Sequence, residues 1–304
     1  MDQLPVDFFA TSGAYTPHVH RDQYPAIDPT SSALSQAGKV IIITGASAGI
    51  GARGFAPAFA KANPKAIILV GRNQSKLDET AEAVKKINSK VDVIASATAV
   101  TDPAAVEKLF ATIKEKYGHA DVLINNAGTF AEEALVASST PSKWWLDFET
   151  NVYGTYLMSR AFLQLLGSER HGTIVNMNTG ISTMIGPTMS AYSISKGAGL
   201  RLNEYIAAEN PNVNAVSLQP GVVSTDMIVE NFKRFALDTP ELVGGIGVWL
   251  ATDAARFLTG RFISANWDVE DLVKQKAKIE AGSDLKVTQG GKFGLDQFSE
   301  EEKK

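Results

Sequence analysis

Cysteine is absent from this chain of 304 residues. That excludes disulfides, thiolate zinc sites and a cysteine nucleophile, and it suits a reducing compartment. Histidine is scarce: the four, at 18, 20, 119 and 171, form no i,i+4 pair with a nearby glutamate, so no metal site is expected. Charge of one sign is nearly balanced by the other. The 29 basic and 33 acidic residues give a net charge of −4 spread along the chain, without the basic stripe that nucleic-acid binding requires. Long hydrophobic runs are missing too. Val40–Ile43 has the length of a strand, far short of the ~20 residues of a membrane span. Met1–Ala10, which contains Asp2 and Asp7, has neither the basic cluster nor the apolar stretch of a secretory signal. The expectation is a cytoplasmic protein with no nucleic-acid or membrane partner.

What is present describes an ordinary globular chain, 44% apolar and 20% charged, long enough for one large α/β domain. Residues 1–38 carry Pro5, Pro17, Pro25 and Pro29, with Phe8, Phe9, Tyr15 and Tyr24 between them. They read as an irregular arm that is either a disordered leader or a segment packed on its own domain or a sister subunit. From Lys39 short apolar runs alternate with amphipathic stretches, the pattern of βαβ units. Strands are expected at 40–44, 66–70, 92–95, 122–125, 172–176, 213–218 and 262–264. Helices are expected at 49–62, 74–88, 103–117, 142–166, 191–209 and 240–251. Crossovers of this length predict a single-domain, Rossmann-type, doubly wound parallel sheet of about seven strands, with helices on both faces and a ligand at the carboxyl ends of the strands. A helical stretch at 269–281 and a tail ending in Glu300–Lys304 follow.

The turn Thr44-Gly45-Ala46-Ser47-Ala48-Gly49-Ile50-Gly51 leaves the first strand and opens a helix. Glycines there allow a sharp turn and close approach of a pyrophosphate, and the helix start offers free N–H groups to its charge. Gly45, Ser47, Gly49, Ile50 and Gly51 are therefore candidate cofactor contacts. At the end of the second strand, where a carboxylate would bond the ribose of NAD, stand Arg72 and Asn73. Arg72 can meet a 2′-phosphate, so NADP(H) is preferred over NAD(H).

Tyr192 and Lys196 are spaced i,i+4 on a helix, which places their side chains one turn apart on one face. A tyrosine serving as acid or base near neutral pH needs such a neighbouring cation. The pair gains meaning from its company: Asn125-Asn126-Ala127-Gly128, Asn151-Val152-Tyr153-Gly154 and Pro220-Gly221, in that order. With these motifs the chain from Lys39 to about Asn266 resembles the short-chain dehydrogenase/reductase family.

The resemblance implies roles. Tyr192 is the general acid of carbonyl reduction, Lys196 holds the nicotinamide ribose and lowers the tyrosine pKa, and Asn151 anchors a water that returns the proton. Asn125, Ala127 and Gly128 wall the cofactor pocket, with Asn125 stabilising the sheet. Pro220, Gly221, Val223 and Thr225 approach the nicotinamide. The family's substrate-orienting serine lies thirteen residues before the tyrosine, and here that position is Thr179. Its hydroxyl keeps the donor, although Ser182 is a second candidate. Where many relatives have an aspartate facing the adenine, this chain has Ala99.

Residues near the site, Ile181, Met184, Ile185, Met189, Val222, Met227, Val229 and Phe232, suit a small hydrophobic carbonyl or alcohol, if they do not simply pack the core. Trp144 and Trp145 either face the pocket or pack helices. The resemblance also implies a homodimer or homotetramer, the tetramer doubtful because the chain runs on past Trp267. It divides the chain into the arm (1–38), a dinucleotide-binding catalytic domain (39–266) and a C-terminal helical extension and tail (267–304). The expected activity is NADP(H)-dependent interconversion of a hydrophobic ketone or aldehyde and its alcohol. A member that keeps the cofactor for isomerisation, dehydration or sensing is the alternative.

Overall fold

The computed structural model describes residues 3–290, Gln297 and Ser299. The tail at 300–304 lies outside the described residues. The arm contains a short α-helix, α1 (Phe8–Thr11), and two 3-10 turns, Pro25–Ile27 and Ser32–Leu34. Then follow β1 (Val40–Thr44), α2 (Ala56–Lys61), β2 (Ala66–Gly71), α3 (Gln74–Ile87), β3 (Asp92–Ala97), α4 (Pro103–Tyr117) and β4 (Val122–Asn125). The second half comprises α5 (Pro141–Phe148), α6 (Thr155–Leu166), β5 (Gly172–Met177), α7 (Ser190–Glu209), β6 (Val213–Gln219), α8 (Pro240–Leu250) and β7 (Arg261–Ser264). Two short helices, α9 (Val269–Lys274) and α10 (Lys276–Ala281), end it.

The strands form one seven-stranded sheet in the order β3-β2-β1-β4-β5-β6-β7, and every neighbouring pair is parallel. Successive side chains of a strand point to opposite faces, and both faces here are covered. Ile41 and Ile43 of β1 join Phe55, Phe59 and Ile246 in one core, while Val40 and Ile42 join Phe110, Ile113 and Phe162 in the other. This is why β1 reads as an unbroken apolar run. The strand order reverses between β1 and β4, which opens a crevice at their carboxyl ends.

Two helices differ from regular geometry. Gly51–Phe55, leading into α2, and Glu149–Gly154, joining α5 to α6, are wide π-type turns, each beside the crevice.

Residues 3–38 are packed rather than loose. Ile27 is fully buried, and the arm's backbone bonds both ends of the fold: His20 N donates to Asn266 O (2.7 Å) and Gln36 N to Ala62 O (2.8 Å). Two histidine–carboxylate contacts fasten it to the C-terminal helices, His18 to Asp271 and His20 to Asp268, both 2.7 Å. Two isolated carboxylates at a helix start gave no sign in the sequence that they hold a segment some 250 residues away.

Candidate active site

The crevice deepens into a cavity of about 910 Å³. One end is built by the glycine turn after β1. Gly45 (φ +64°) and Gly49 (φ +56°) take the left-handed conformation that favours glycine. A Cβ at Gly45 would stand 2.8 Å from Asn126 Nδ2, and one at Gly51 would press on the Gly45 carbonyl. These two glycines serve packing of the turn, and Gly51 does not line the cavity. Gly49 is different. Its nearest neighbour would be Thr225 Cγ2 at 3.6 Å, so its backbone faces open space beside Ser47 and Ile50, as a pyrophosphate needs. The turn is latched to β4: Thr44 Oγ1 accepts from Asn126 N and Ala127 N (both 3.0 Å), and Asn126 Nδ2 donates to Thr44 O (2.9 Å).

At the end of β2, Arg72 lies exposed on the cavity rim with no ion-pair partner among the described residues. Asn73, its neighbour, turns away. Its Oδ1 accepts from Lys76 N (3.1 Å) and caps α3, the role its short polar side chain favours. Asn125 is likewise structural, donating to Ser159 Oγ (2.9 Å) and Asn176 Oδ1 (2.8 Å) inside the sheet, off the cavity. Ala127, Gly128, Pro220, Gly221, Val223 and Thr225 all line it.

Tyr192 and Lys196 sit on α7 as their spacing requires, and both face the cavity. Lys196 is buried, with Nζ 5.8 Å from the Tyr192 ring centroid and donating to Met177 O (2.9 Å). It has no carboxylate within ion-pair distance among the described residues, so its remaining donors suit ribose hydroxyls. Burial pushes Lys196 down to about 8 against the pull of Asp147. Burial, with the negative charge of Asp147, pushes Tyr192 up to about 12. Near neutral pH the bare site therefore holds a phenol, a proton donor. Asn151, buried behind them in the wide turn, donates to Ser195 Oγ (3.0 Å) and Thr129 O (2.9 Å) and accepts from Thr129 N (2.9 Å). Gly128 keeps the space between them free: a Cβ there would lie 3.2 Å from Asn151 Oδ1 and 3.4 Å from Lys196 Nζ.

The two hydroxyls left open by the sequence occupy different places. Thr179 lines the cavity, and its Oγ1 only accepts a long bond from Ile181 N (3.4 Å), leaving its own hydrogen available. Ser182 lies off the cavity and donates to Thr179 O (2.6 Å). For the carbonyl reduction that the sequence resemblance implies, Thr179→Ala should lower kcat/KM about 10²-fold and Thr179→Ser restore it, the range for one lost oxyanion donor. Steady-state rates of Ser182→Ala, expected within threefold of wild type, complete the comparison.

Of the apolar residues expected at the site, Ile181, Met184, Met189, Val222, Met227, Val229 and Phe232 line the cavity. Ile185 does not: it is 96% exposed. Trp144 packs against α7 through Nε1 to Ser190 Oγ (3.1 Å), and Trp145 is exposed.

Three features escaped the sequence. Phe130 lies against the Tyr192 ring, centroids 5.2 Å apart. Asp147 is fully buried, Oδ1 accepting from Thr129 Oγ1 and Ala131 N (both 3.0 Å) while Oδ2 has no hydrogen-bond partner among the described residues. Burial raises its pKa. Its spacing one turn before Asn151 was the available signal, because i and i+4 share a helix face. The third is the arm, whose Phe8 and Phe9 enter the cavity lining. Among the described residues no group of three or more His, Asp or Glu is placed to hold a metal, and no helix is long and apolar enough to cross a membrane.

The chain is similar to known proteins in sequence and fold. The family model for short chain dehydrogenase matches residues 39–234. Short chain dehydrogenase mpl6 of Monascus purpureus is 37% identical over 276 residues, covering 88% of this chain and 94% of that one. Short chain dehydrogenase pigC of Monascus ruber is 34% identical over 294 residues, covering 93% and 94%. Among solved structures, a short chain dehydrogenase of Shigella flexneri 2a strain 301 complexed with NADP is similar, with TM-score 0.70, 25% identity and coverage of 77% of this chain and 99% of that one.

Proposed function

Because the chain belongs to the short chain dehydrogenase family, we propose that it reduces a hydrophobic ketone or aldehyde to the alcohol with NADPH. One observation carries this reading: the Tyr192 and Thr179 hydroxyls and an apolar wall share a single cavity with the open backbone of Gly49. When bound, the cofactor supplies the hydride. Tyr192 then donates its phenolic proton to the carbonyl oxygen as negative charge develops there, and Thr179 donates a hydrogen bond to the same atom. Lys196 would hold the ribose and support the phenolate left behind. Asn151 keeps the Thr129 loop and Ser195 in register, and the gap beside Gly128 leaves room for proton return toward Lys196.

Arg72 supports NADPH over NADH, since a planar guanidinium at the rim can pair with a 2′-phosphate and no acidic residue follows β2 to repel it. One charge-assisted contact contributes about 1.5–3 kcal/mol. Arg72→Ala should accordingly weaken NADPH binding tenfold or more while NADH changes less than twofold, measured by fluorescence titration. Tighter binding of NADH than NADPH to wild type would overturn the preference.

The assembly proposed is a homodimer through the α5–α6 and α7 faces, where Trp145, Tyr153, Tyr156, Ile194 and Tyr205 are all exposed. A cluster of large exposed apolar side chains marks such interfaces. Light scattering should give twice the chain mass, and Ile194→Glu should lower it toward one.

A further inference from the structure

The cavity does not stop at the catalytic pair. It runs along the carboxyl edge of the sheet past Thr179 after β5 and Pro220 after β6 to Ser264 at the end of β7 and Trp267 beyond it. Two strand spacings separate β5 from β7, about 10 Å. Its far wall is made by the N-terminal arm through Phe8, Phe9, Ala10, Ser12 and Gly13. We propose that the arm completes the substrate site, and that the substrate is an uncharged carbonyl compound with an elongated aromatic body of two or three fused rings. This rests on the reading of the cavity as a carbonyl-reducing site.

The arm is held as a fixed wall. The Phe9 ring meets Phe235 edge-on at 4.9 Å and Phe232 at 5.2 Å, both in the segment after β6, here called the cover, whose Met227, Val229 and Phe232 line the cavity. Arg21 Nε pairs with Asp238 Oδ1 (2.8 Å), and Arg21 Nη2 donates to Phe235 O (3.0 Å). Asp238 is buried, and its Oδ2 accepts from Val222 N (2.5 Å), next to the Pro220-Gly221 turn. Asn266 Nδ2 bridges Asp238 Oδ1 and His20 O (both 2.9 Å), and Trp267 Nε1 donates to Gly13 O (3.1 Å). Arm, cover and the turns after β6 and β7 thus form one hydrogen-bonded body.

The chemistry of this end selects its ligand. The arm residues lining the cavity carry no charge, the Trp267 N–H is already bonded, and Arg21 is paired with Asp238. Phe8, Phe9, Phe232 and Trp267 supply aromatic faces and edges, and each ring pair adds about 0.5–1.5 kcal/mol beyond area burial. A ligand bound at Tyr192 meets them by extending along the carboxyl edge of the sheet, as a fused-ring body does.

The test uses 6-propionyl-2-(dimethylamino)naphthalene, a fluorescent two-ring ketone, titrated into the full-length protein with NADP+ present so that nothing turns over. Phe9→Ala should weaken its binding about tenfold and leave NADP+ affinity within twofold. Ser12→Trp, which adds bulk at the arm end, should lower kcat/KM for the naphthyl ketone at least tenfold more than it lowers kcat/KM for acetophenone. Unchanged probe binding in both variants, or an equal loss for probe, acetophenone and NADP+, overturns the proposal. If wild type reduces neither ketone while probe binding still depends on Phe9, the arm site stands and the carbonyl-reduction reading falls.

Discussion

Replacing Tyr192 by phenylalanine is expected to lower kcat for NADPH-dependent ketone reduction about 10³-fold, within the 10²- to 10⁴-fold range of a positioned general acid. The substitution removes one oxygen from a half-buried ring that packs against Phe130 and whose hydroxyl makes no hydrogen bond among the described residues. Thermal stability should accordingly stay within about a degree, and NADPH affinity within twofold. That separation matters, because a collapse of the site would change all three together. The pH dependence has a definite sign as well. Burial and Asp147 hold the phenol protonated up to about 12 in the bare site, so loss of reduction on the alkaline side follows loss of the proton from Tyr192 under the opposing influence of the cofactor and Lys196. In the phenylalanine variant that alkaline limb should be missing from the residual rate. A variant as active as wild type on the same ketone would remove Tyr192 from the mechanism.

Lys196→Met should have opposite effects on activity and stability. Without the cation the phenolate loses its nearest support and the ribose loses a donor, so kcat/KM should fall about 10³-fold. Stability should rise, because the wild-type fold buries an ammonium with Met177 O as its acceptor and no ion-pair partner among the described residues. An unfolded lysine titrates near 10.4, whereas Lys196 titrates near about 8. Below about pH 8 the folded chain carries the full desolvation cost of the charge. Between the two values the cost fades, and above the unfolded value it is gone. Methionine also strands the Met177 carbonyl, which offsets about 1 kcal/mol. The net gain at pH 6–7 should be on the order of 1–2 kcal/mol, or a few degrees in Tm, shrinking to nothing or reversing above about pH 10. Calorimetry of the cofactor-free protein at both pH values checks it. A Met variant less stable than wild type at pH 6 would mean that Lys196 is not held against its hydration.

The sheet was legible because a doubly covered parallel strand has no polar face. β1 and β4 were placed to the residue, and the others ended within a few residues of the expected limits. The glycine turn and the Tyr192–Lys196 pair were legible for a similar reason, since local backbone geometry fixes both. What escaped depends on contacts far apart in sequence. Asp147 looks like a solvent-facing carboxylate until the Thr129–Ala131 loop closes over it. Phe9 looks like part of a loose leader until Phe235 and Arg21 fix the arm against the cover. Asn73 and Ile185 show the converse error. Each stands next to a cavity residue, Arg72 or Met184, yet a helix cap draws the first away and the second points to solvent. Neighbours in sequence separate at such positions because side chains one residue apart leave a helix start or a loop in different directions.

In the proposed reaction a hydride reaches a carbonyl carbon while Tyr192 supplies the proton. It is tested most directly by following the label from NADPH carrying two deuterium atoms at the nicotinamide C4 into the product of a fused-ring ketone. The expected product is an alcohol bearing one deuterium on its carbinol carbon, with one NADP+ formed per alcohol and no such product from Tyr192→Phe on the same timescale. A product formed without deuterium and without NADPH consumption would contradict it.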